Sequence, residues 1–281
     1  VDAAIAAAAT LTVVEPTGNG LGSDGYCILW DGTELHGLNG SGASPAGWTR
    51  ERFAGHKTIP FRGWDSVTVP GAVRSWVTLA ERFGKLDLAT LLAPAIGYAE
   101  NGFIVSPVIG ALWERGAEIL SDQPGFAEAF MPGGRAPRAG ERFRNPDLAK
   151  SLILIAETNG RAFYEGILAE KMAAHGRAHG AALSEADLAV HQSEWCGTLS
   201  TAFDDNLLHE IPPNGQGIAA LMALGMLEHT AIRDVPADDP IALHLQIEAI
   251  KLAFADLHSY VADRKYMTDT TPEHLLDPAY L

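Results

Sequence analysis

The first 45 residues leave this chain the fewest folding choices. Residues 1–14 are rich in alanine, apolar and almost without charge. Alanine loses no side-chain freedom in a helix, so the run predicts one. A glycine loop follows (Gly18, Gly20, Gly22, Gly25), then two apolar runs, residues 26–30 and 33–38, flanking Asp31-Gly32. Asp-Gly between such runs predicts a tight hairpin, because both central residues tolerate φ > 0. A second loop of small residues, Asn39-Gly40-Ser41-Gly42, closes the stretch. Together these pieces read as a packed core element with an irregular rim, and a pocket is most easily built on such a rim.

With 281 residues the chain can bury a sizeable core. Its 47% hydrophobic and 20% charged residues fit a globular protein rather than a disordered one. No uncharged apolar run approaches the roughly 18 residues that suggest a membrane span. A formal net charge of −15 disfavours non-specific hold on nucleic acid or anionic lipid. Cys27 and Cys196 form neither a disulfide framework nor a zinc set, and read as two free thiols. The opening Val1-Asp2-Ala3-Ala4 reads as the interior of a helix, so residues upstream of it are expected.

Further along, residues 66–71 read as a short strand, and a helix is expected over 72–83 with Gly84 as its stop. Helical patterning resumes over 88–100 with an interruption at Pro94, and 121–140 reads as a Gly/Pro-rich surface loop. Asn145-Pro146 caps a helix carrying Leu148, Leu152 and Ile155, and 162–166 leads into another helix. Ser184-x-x-Asp187 has the form of a capping box. Residues 199–203 and 207–211 suggest a second hairpin, followed by a helix over 218–228. The long helix 241–260 carries Leu243, Ile247, Ile250, Phe254 and Leu257 at spacings of four and three, which predicts a buried stripe. No linker divides the chain, so a single domain over 1–281 is expected.

Few residues announce chemistry by themselves. Gly18-x-Gly20-x-Gly22 follows a helix and precedes a strand, the reverse of a phosphate cradle, and no Walker lysine accompanies it. His244 and Glu248 sit one turn apart, but zinc needs a third protein ligand. Lys251 and His258 nearby favour a solvated ion-pair stripe instead. No G-x-S-x-G motif is present. Asn214-Gly215-Gln216-Gly217 opens onto a helix N-terminus that favours a carboxylate or amide oxygen, although a tight strand-to-helix connection is the simpler reading. Residues 39–44 pose the same choice.

Taken as a series, however, the blocks resemble a known family. Residues 1–26, with DAA, an Ala-rich helix, VVEP and a glycine loop, are similar to the large-subunit opening of the γ-glutamyltransferase family. SVTVPG (66–71), LLAPAIGYAENGF (91–103), residues 145–149, AFYEG (162–166) and Asp187-Leu188 match in order. IPPNGQG (211–217) and EAIKLAFAD (248–256) complete the series. The resemblance implies an α+β fold, the four-layer αββα sandwich of N-terminal-nucleophile hydrolases, completed by a small subunit. It implies a precursor that cleaves itself before a Thr, whose freed α-amine then serves as base. This chain begins with Val1, and Thr270-Thr271 is followed by Pro272 rather than by the His of the family junction. It therefore reads as the large subunit alone, ending near the cleavage point. No catalytic residue is expected in it, and the Thr nucleophile belongs to the small subunit from the same precursor. No metal or organic cofactor is implied, and αβ units could pair into dimers.

One departure bears on substrate. The family's R-E-x-A-P block pairs an Arg with the substrate's α-carboxylate. Here that block is Ser41-Gly42-Ala43-Ser44-Pro45, with Ser41 at the Arg position. The resemblance then points to an amide other than γ-glutamyl, as in oxamate amidohydrolases or cephalosporin acylases. Asn39, Ser41, Gly42, Asn214 and Gln216 are expected in the substrate pocket wall. Two alternatives stand beside this reading. One is γ-glutamyl hydrolysis or transfer, with Arg50, Arg62 or Arg74 replacing the lost charge; the other is an inert scaffold subunit.

Overall fold

The computed structural model describes residues 1–281. In chain order, helix α1 (Asp2–Val14) precedes strands β1 (Gly25–Trp30) and β2 (Leu35–Gly40), then helices α2 (Ala72–Phe83) and α3 (Leu88–Asn101). Next come β3 (Phe103–Ile104), α4 (Pro107–Leu120), α5 (Phe126–Phe130) and β4 (Arg142–Phe143). Four helices follow: α6 (Pro146–Glu157), α7 (Arg161–Glu165), α8 (Ile167–Ala178) and α9 (Glu185–Ala189). The remainder holds β5 (Glu194–Trp195), β6 (Leu199–Phe203), β7 (Asn206–Glu210), α10 (Ile218–Glu228), α11 (Pro240–Tyr260) and α12 (Pro272–Leu275). No helix is long and apolar enough to cross a membrane.

Contacts within the chain define two compact units interleaved in sequence: Val1–Gly25 with Gly40–Ser193, and Tyr26–Asn39 with Glu194–Leu281. Because the second takes a segment from inside the first, no composition break marks either.

The first unit is mainly helical. Small residues let α1 approach α3 closely, with Ala9 on one and Ala95 and Ala99 on the other fully buried. On its other side α3 packs on α6, adding Leu91, Leu92, Leu152 and Ile155 to the core. Only one face of α1 is buried, through Ile5, Ala9, Thr12 and Val13, while Ala4, Ala7 and Leu11 are exposed. Pro94 does not interrupt α3, which is continuous. Burial on both sides offsets the roughly 3 kcal/mol that an interior proline costs. Residues 66–71 form no strand: 64–66 are a short 3₁₀ turn, and the Val69 N–H donates singly to Ala43 O (3.0 Å). Helix α4 was not anticipated, although Ser106-Pro107 signals its start and Ser106 Oγ accepts from the Ile109 N–H (3.3 Å). The expected loop 121–140 contains the short helix α5. The capping box is present with both arms.

The second unit carries a three-stranded sheet in the order β1-β2-β5, the β6–β7 hairpin, and α10 packed on α11. The first hairpin turns through four residues rather than two. Only Gly32 takes positive φ (+104°) there. Instead the Asp31 carboxylate accepts from the N–H groups of Thr33 (2.7 Å) and Glu34 (2.9 Å) and organises a wider turn. Its other oxygen lies 2.8 Å from His36 Nε2, and these bonds hold the Asp31 carboxyl at about 2. Asn39 and Gly40 belong to β2 rather than to a loop, with Asn39 opposite Glu194 in β5. The second hairpin matches expectation within one residue, and Asp204 adopts φ +55° at its turn.

The stripe predicted on α11 is buried only in part: Leu257 lies in the core and Ile250 packs against it. Ala242, Ala249, Ala253 and Leu257 form the buried face, while Leu243 (53% exposed), Ile247 (55%) and Phe254 (38%) face outward. The small alanines admit the close approach of α10. Ion pairing on α11 is as expected, with Lys251 Nζ 2.8 Å from Glu248 Oε1. Cys27 and Cys196 are both free thiols.

Candidate functional site

The expected pocket residues are divided between the two units. In the second unit β2 delivers Asn39, and the turn after β7 delivers Asn214. Asn39 Nδ2 donates to Asn214 Oδ1 at 2.8 Å. The strand pairing of Asn39 with Glu194 fixes the backbone beneath that bond. The turn itself is anchored by buried Pro212 and Pro213 and leads straight into α10. A Cβ on Gly217 would meet the Glu210 side chain, which packs against the turn. Gln216 is exposed, and its carbonyl accepts the Ala219 N–H (3.0 Å) in the first turn of α10. The structure thus brings Asn39 and Asn214 together and leaves Gln216 at the surface beside them.

In the first unit, Gly40 to Gly42 run against the start of α2. A Cβ on Gly71 would overlap the Gly40 carbonyl oxygen, and one on Gly42 would overlap the Val69 carbonyl oxygen. Ser41 between them is half-buried. The Gly42 N–H donates to Asp24 Oδ1 (3.0 Å). Desolvation raises the Asp24 carboxyl above its ordinary range, against the pull of that bond. Asp187 accepts the Ala46 N–H (2.8 Å), tying the capping box of α9 to the end of the same loop.

Behind this loop lies a cluster that sequence reasoning touched only through Arg74. Tyr164, fully buried in α7, donates its hydroxyl to Pro70 O (2.9 Å) and accepts the Arg74 N–H (2.9 Å). The Arg74 guanidinium sits 4.5 Å from the Tyr164 ring centroid, and His191 stacks on the same ring at 5.5 Å. Burial and then the Arg74 charge pull the His191 ring below its ordinary 6.5. His191 was not anticipated; the available signal was its place just past Asp187-Leu188.

Elsewhere in the first unit, a surface cavity of about 480 Å³ is walled by Trp64, Pro70, Met172 and Leu183. It is apolar and suits a hydrophobic group rather than a reacting one. In the second unit Asp31, Glu34 and His36 bring potential ligand atoms within 4.8 Å of one another, but the His36–Asp31 bond already joins two of them. None of these groups pairs a hydroxyl or thiol with a base in the manner of an activated nucleophile.

A family model described as Gamma-glutamyltranspeptidase matches residues 1–281. The chain belongs to the gamma-glutamyltranspeptidase family. It is 37% identical over 282 residues to the glutathione hydrolase-like YwrD proenzyme of Bacillus subtilis, covering 99% of this chain and 54% of that protein. It is 36% identical over 290 residues to the oxamate amidohydrolase proenzyme of Klebsiella pneumoniae, covering 100% of this chain and 54% of the relative. The chain spans about half the length of the curated relatives it matches. Among solved structures, the cephalosporin acylase from Bacillus halodurans superimposes with a TM-score of 0.92 at 42% identity, covering 99% of this chain and 53% of that one. The gamma-glutamyltranspeptidase of Pseudomonas nitroreducens matches with a TM-score of 0.91 at 29% identity over 99% of this chain and 84% of its own. The α+β class and the N-terminal-nucleophile hydrolase fold expected from the family resemblance therefore stand.

Proposed function

We propose that this chain is the large-subunit part of an amidohydrolase whose acyl-enzyme forms on the N-terminal Thr of a small subunit cut from the same precursor. The freed α-amine of that Thr would take the hydroxyl proton as the hydroxyl attacks the amide carbonyl. The proenzyme names of the relatives support processing of this kind. The second unit supports a companion chain. Edge strand β1 leaves Tyr26, Ile28 and Trp30 uncovered, and α11 does the same with Leu243 and Ile247. An apolar edge strand left open would invite aggregation.

The substrate is proposed to be an amide outside the γ-glutamyl class, such as a small oxamate-like amide or an acyl side chain. One observation supports this: the family resemblance puts Ser41 where the family has its Arg, and the adjoining Gly42 packs so closely on Val69 that no side chain fits. Ser41 and Gly42 would line the substrate pocket from the first unit. A γ-glutamyl reading keeps specific support in the glutathione hydrolase proenzyme of Pseudomonas aeruginosa, 30% identical over 289 residues.

The test uses the processed two-chain protein. It should release ammonia or amine from simple amides with a kcat/KM well above that for γ-glutamyl-p-nitroanilide. Faster turnover of the glutamyl compound would overturn the substrate reading. Sequencing the companion chain should find Thr first; a residue without a hydroxyl or thiol would establish the inert-scaffold alternative. Ser41→Arg should lower kcat/KM for the preferred amide at least tenfold, and an unchanged value would remove Ser41 from the wall.

A further inference from the structure

Arg74 lies in the first turn of α2, partly exposed, and its side chain turns inward onto Tyr164. Two of its guanidinium nitrogens, Nε and Nη2, are buried and have no hydrogen-bond partner in the protein. Those two nitrogens form a single edge, and that edge receives the two oxygens of a carboxylate side-on. Arg52 in the same unit uses its corresponding edge: Nε and Nη2 meet Asp65 Oδ1 at 2.8 and 2.6 Å. A further orphan shares the platform. His191, 6% exposed, stacks on Tyr164 at 29° between ring planes, and its buried Nε2 also lacks a partner.

The polar groups nearby have partners of their own. The Tyr164 hydroxyl is used twice, by Pro70 O and the Arg74 N–H. Asp24 accepts from Gly42, and Asp187 from Ser184 and Ala46. A desolvated guanidinium edge without an acceptor is among the costlier arrangements a protein can keep. Fixed on an aromatic ring with its stem held by α2, it is also preorganised, so an incoming anion pays little ordering entropy. The Gly40 backbone abuts Gly71 and Ser75 of the same helix start, which places the Ser41–Gly42 segment beside this cluster.

We propose that the Nε–Nη2 edge of Arg74, seated on Tyr164 with His191, is a receptor for a carboxylate group of the substrate. The substrate class then narrows to amides that also carry a carboxylate. That it is substrate which binds rests on the amidohydrolase reading; the receptor itself does not.

The experiment measures binding to the processed two-chain protein by saturation-transfer NMR and calorimetry. The probes are acetate, N-acetylglycine and succinamate, each against its neutral amide. At least one acid should bind the wild type, and Arg74→Met should weaken it roughly ten- to hundredfold, the range expected for losing charged hydrogen bonds. Arg74→Lys should restore part of the loss, and the neutral amides should respond to neither change. The same acid should shift the His191 ring resonances in the wild type, a readout that needs no variant to fold. The proposal is overturned if no acid binds, if Arg74→Met leaves acid binding intact, or if acids and neutral amides weaken alike. It is overturned equally if Arg74 proves to pair with a carboxylate of the companion chain. Arg74-dependent acid binding without turnover of any amide would instead refute the hydrolase reading and leave the receptor standing.

Discussion

A single histidine reports on the environment of the cluster in the first unit. His191 is pulled below 6.5 first by burial and then by the Arg74 charge. Its protonated form is therefore favoured in the unfolded chain. Whatever stability its neutral state contributes is complete above about 6.5 and is lost as pH falls below that value. An NMR titration of the ring should find a midpoint below 6.5, and Arg74→Met should move it upward, because removing a neighbouring positive charge favours the imidazolium. A downward or absent movement would show that Arg74 does not act on the ring. Glycines that are indispensable at this scale were not distinguishable in sequence from those that are not. A Cβ on Gly18 meets nothing within 4 Å, whereas one on Gly71 would strike the Gly40 carbonyl.

At the scale of elements, caps and termini were the most legible features. Asn145 caps α6 through the Leu148 N–H (3.0 Å), and Gly160 follows that helix with φ +78°. These bonds join residues three apart, so local sequence suffices to specify them. The box on α9 is one such device with a longer reach. Ser184→Ala should cost about 1 kcal/mol of stability, the usual value of an N-cap. Asp187→Ala should cost more, because it also releases the Ala46 N–H from a 2.8 Å bond. Thermal melts of both variants check the order, and equal losses would mean that the bond to Ala46 contributes nothing. Less legible were the strand expected at 66–71 and the turn at Asp31-Gly32. In the first, extended residues found single carbonyl partners instead of a ladder; in the second, a side chain supplied the acceptor that a tighter turn would have used.

For the whole molecule, the balance of covered and uncovered apolar surface matters most. Ile247 and Leu243 lie on the outward side of α11, and Trp30 on β1 is 61% exposed. If a companion chain covers this surface, Ile247→Glu in the complete protein should reduce recovery of the small subunit on co-purification. Substituting the exposed Lys251 in the same way should not. Equal recovery from both variants would place the companion elsewhere.

Residue pattern alone determined the positions of most helices, their caps, the second hairpin and membership of a family, since each rests on neighbours close in sequence or on collinear blocks. Only the tertiary structure decided which face of α11 is buried, because alanines win the interior through the close approach of α10 rather than through their own hydrophobicity. It alone brought Asn39 to Asn214 across 175 positions, and His191 to the Tyr164 ring beside Arg74. Contacts between residues so distant in sequence depend on how helices and strands pack, and no periodicity along the chain encodes them.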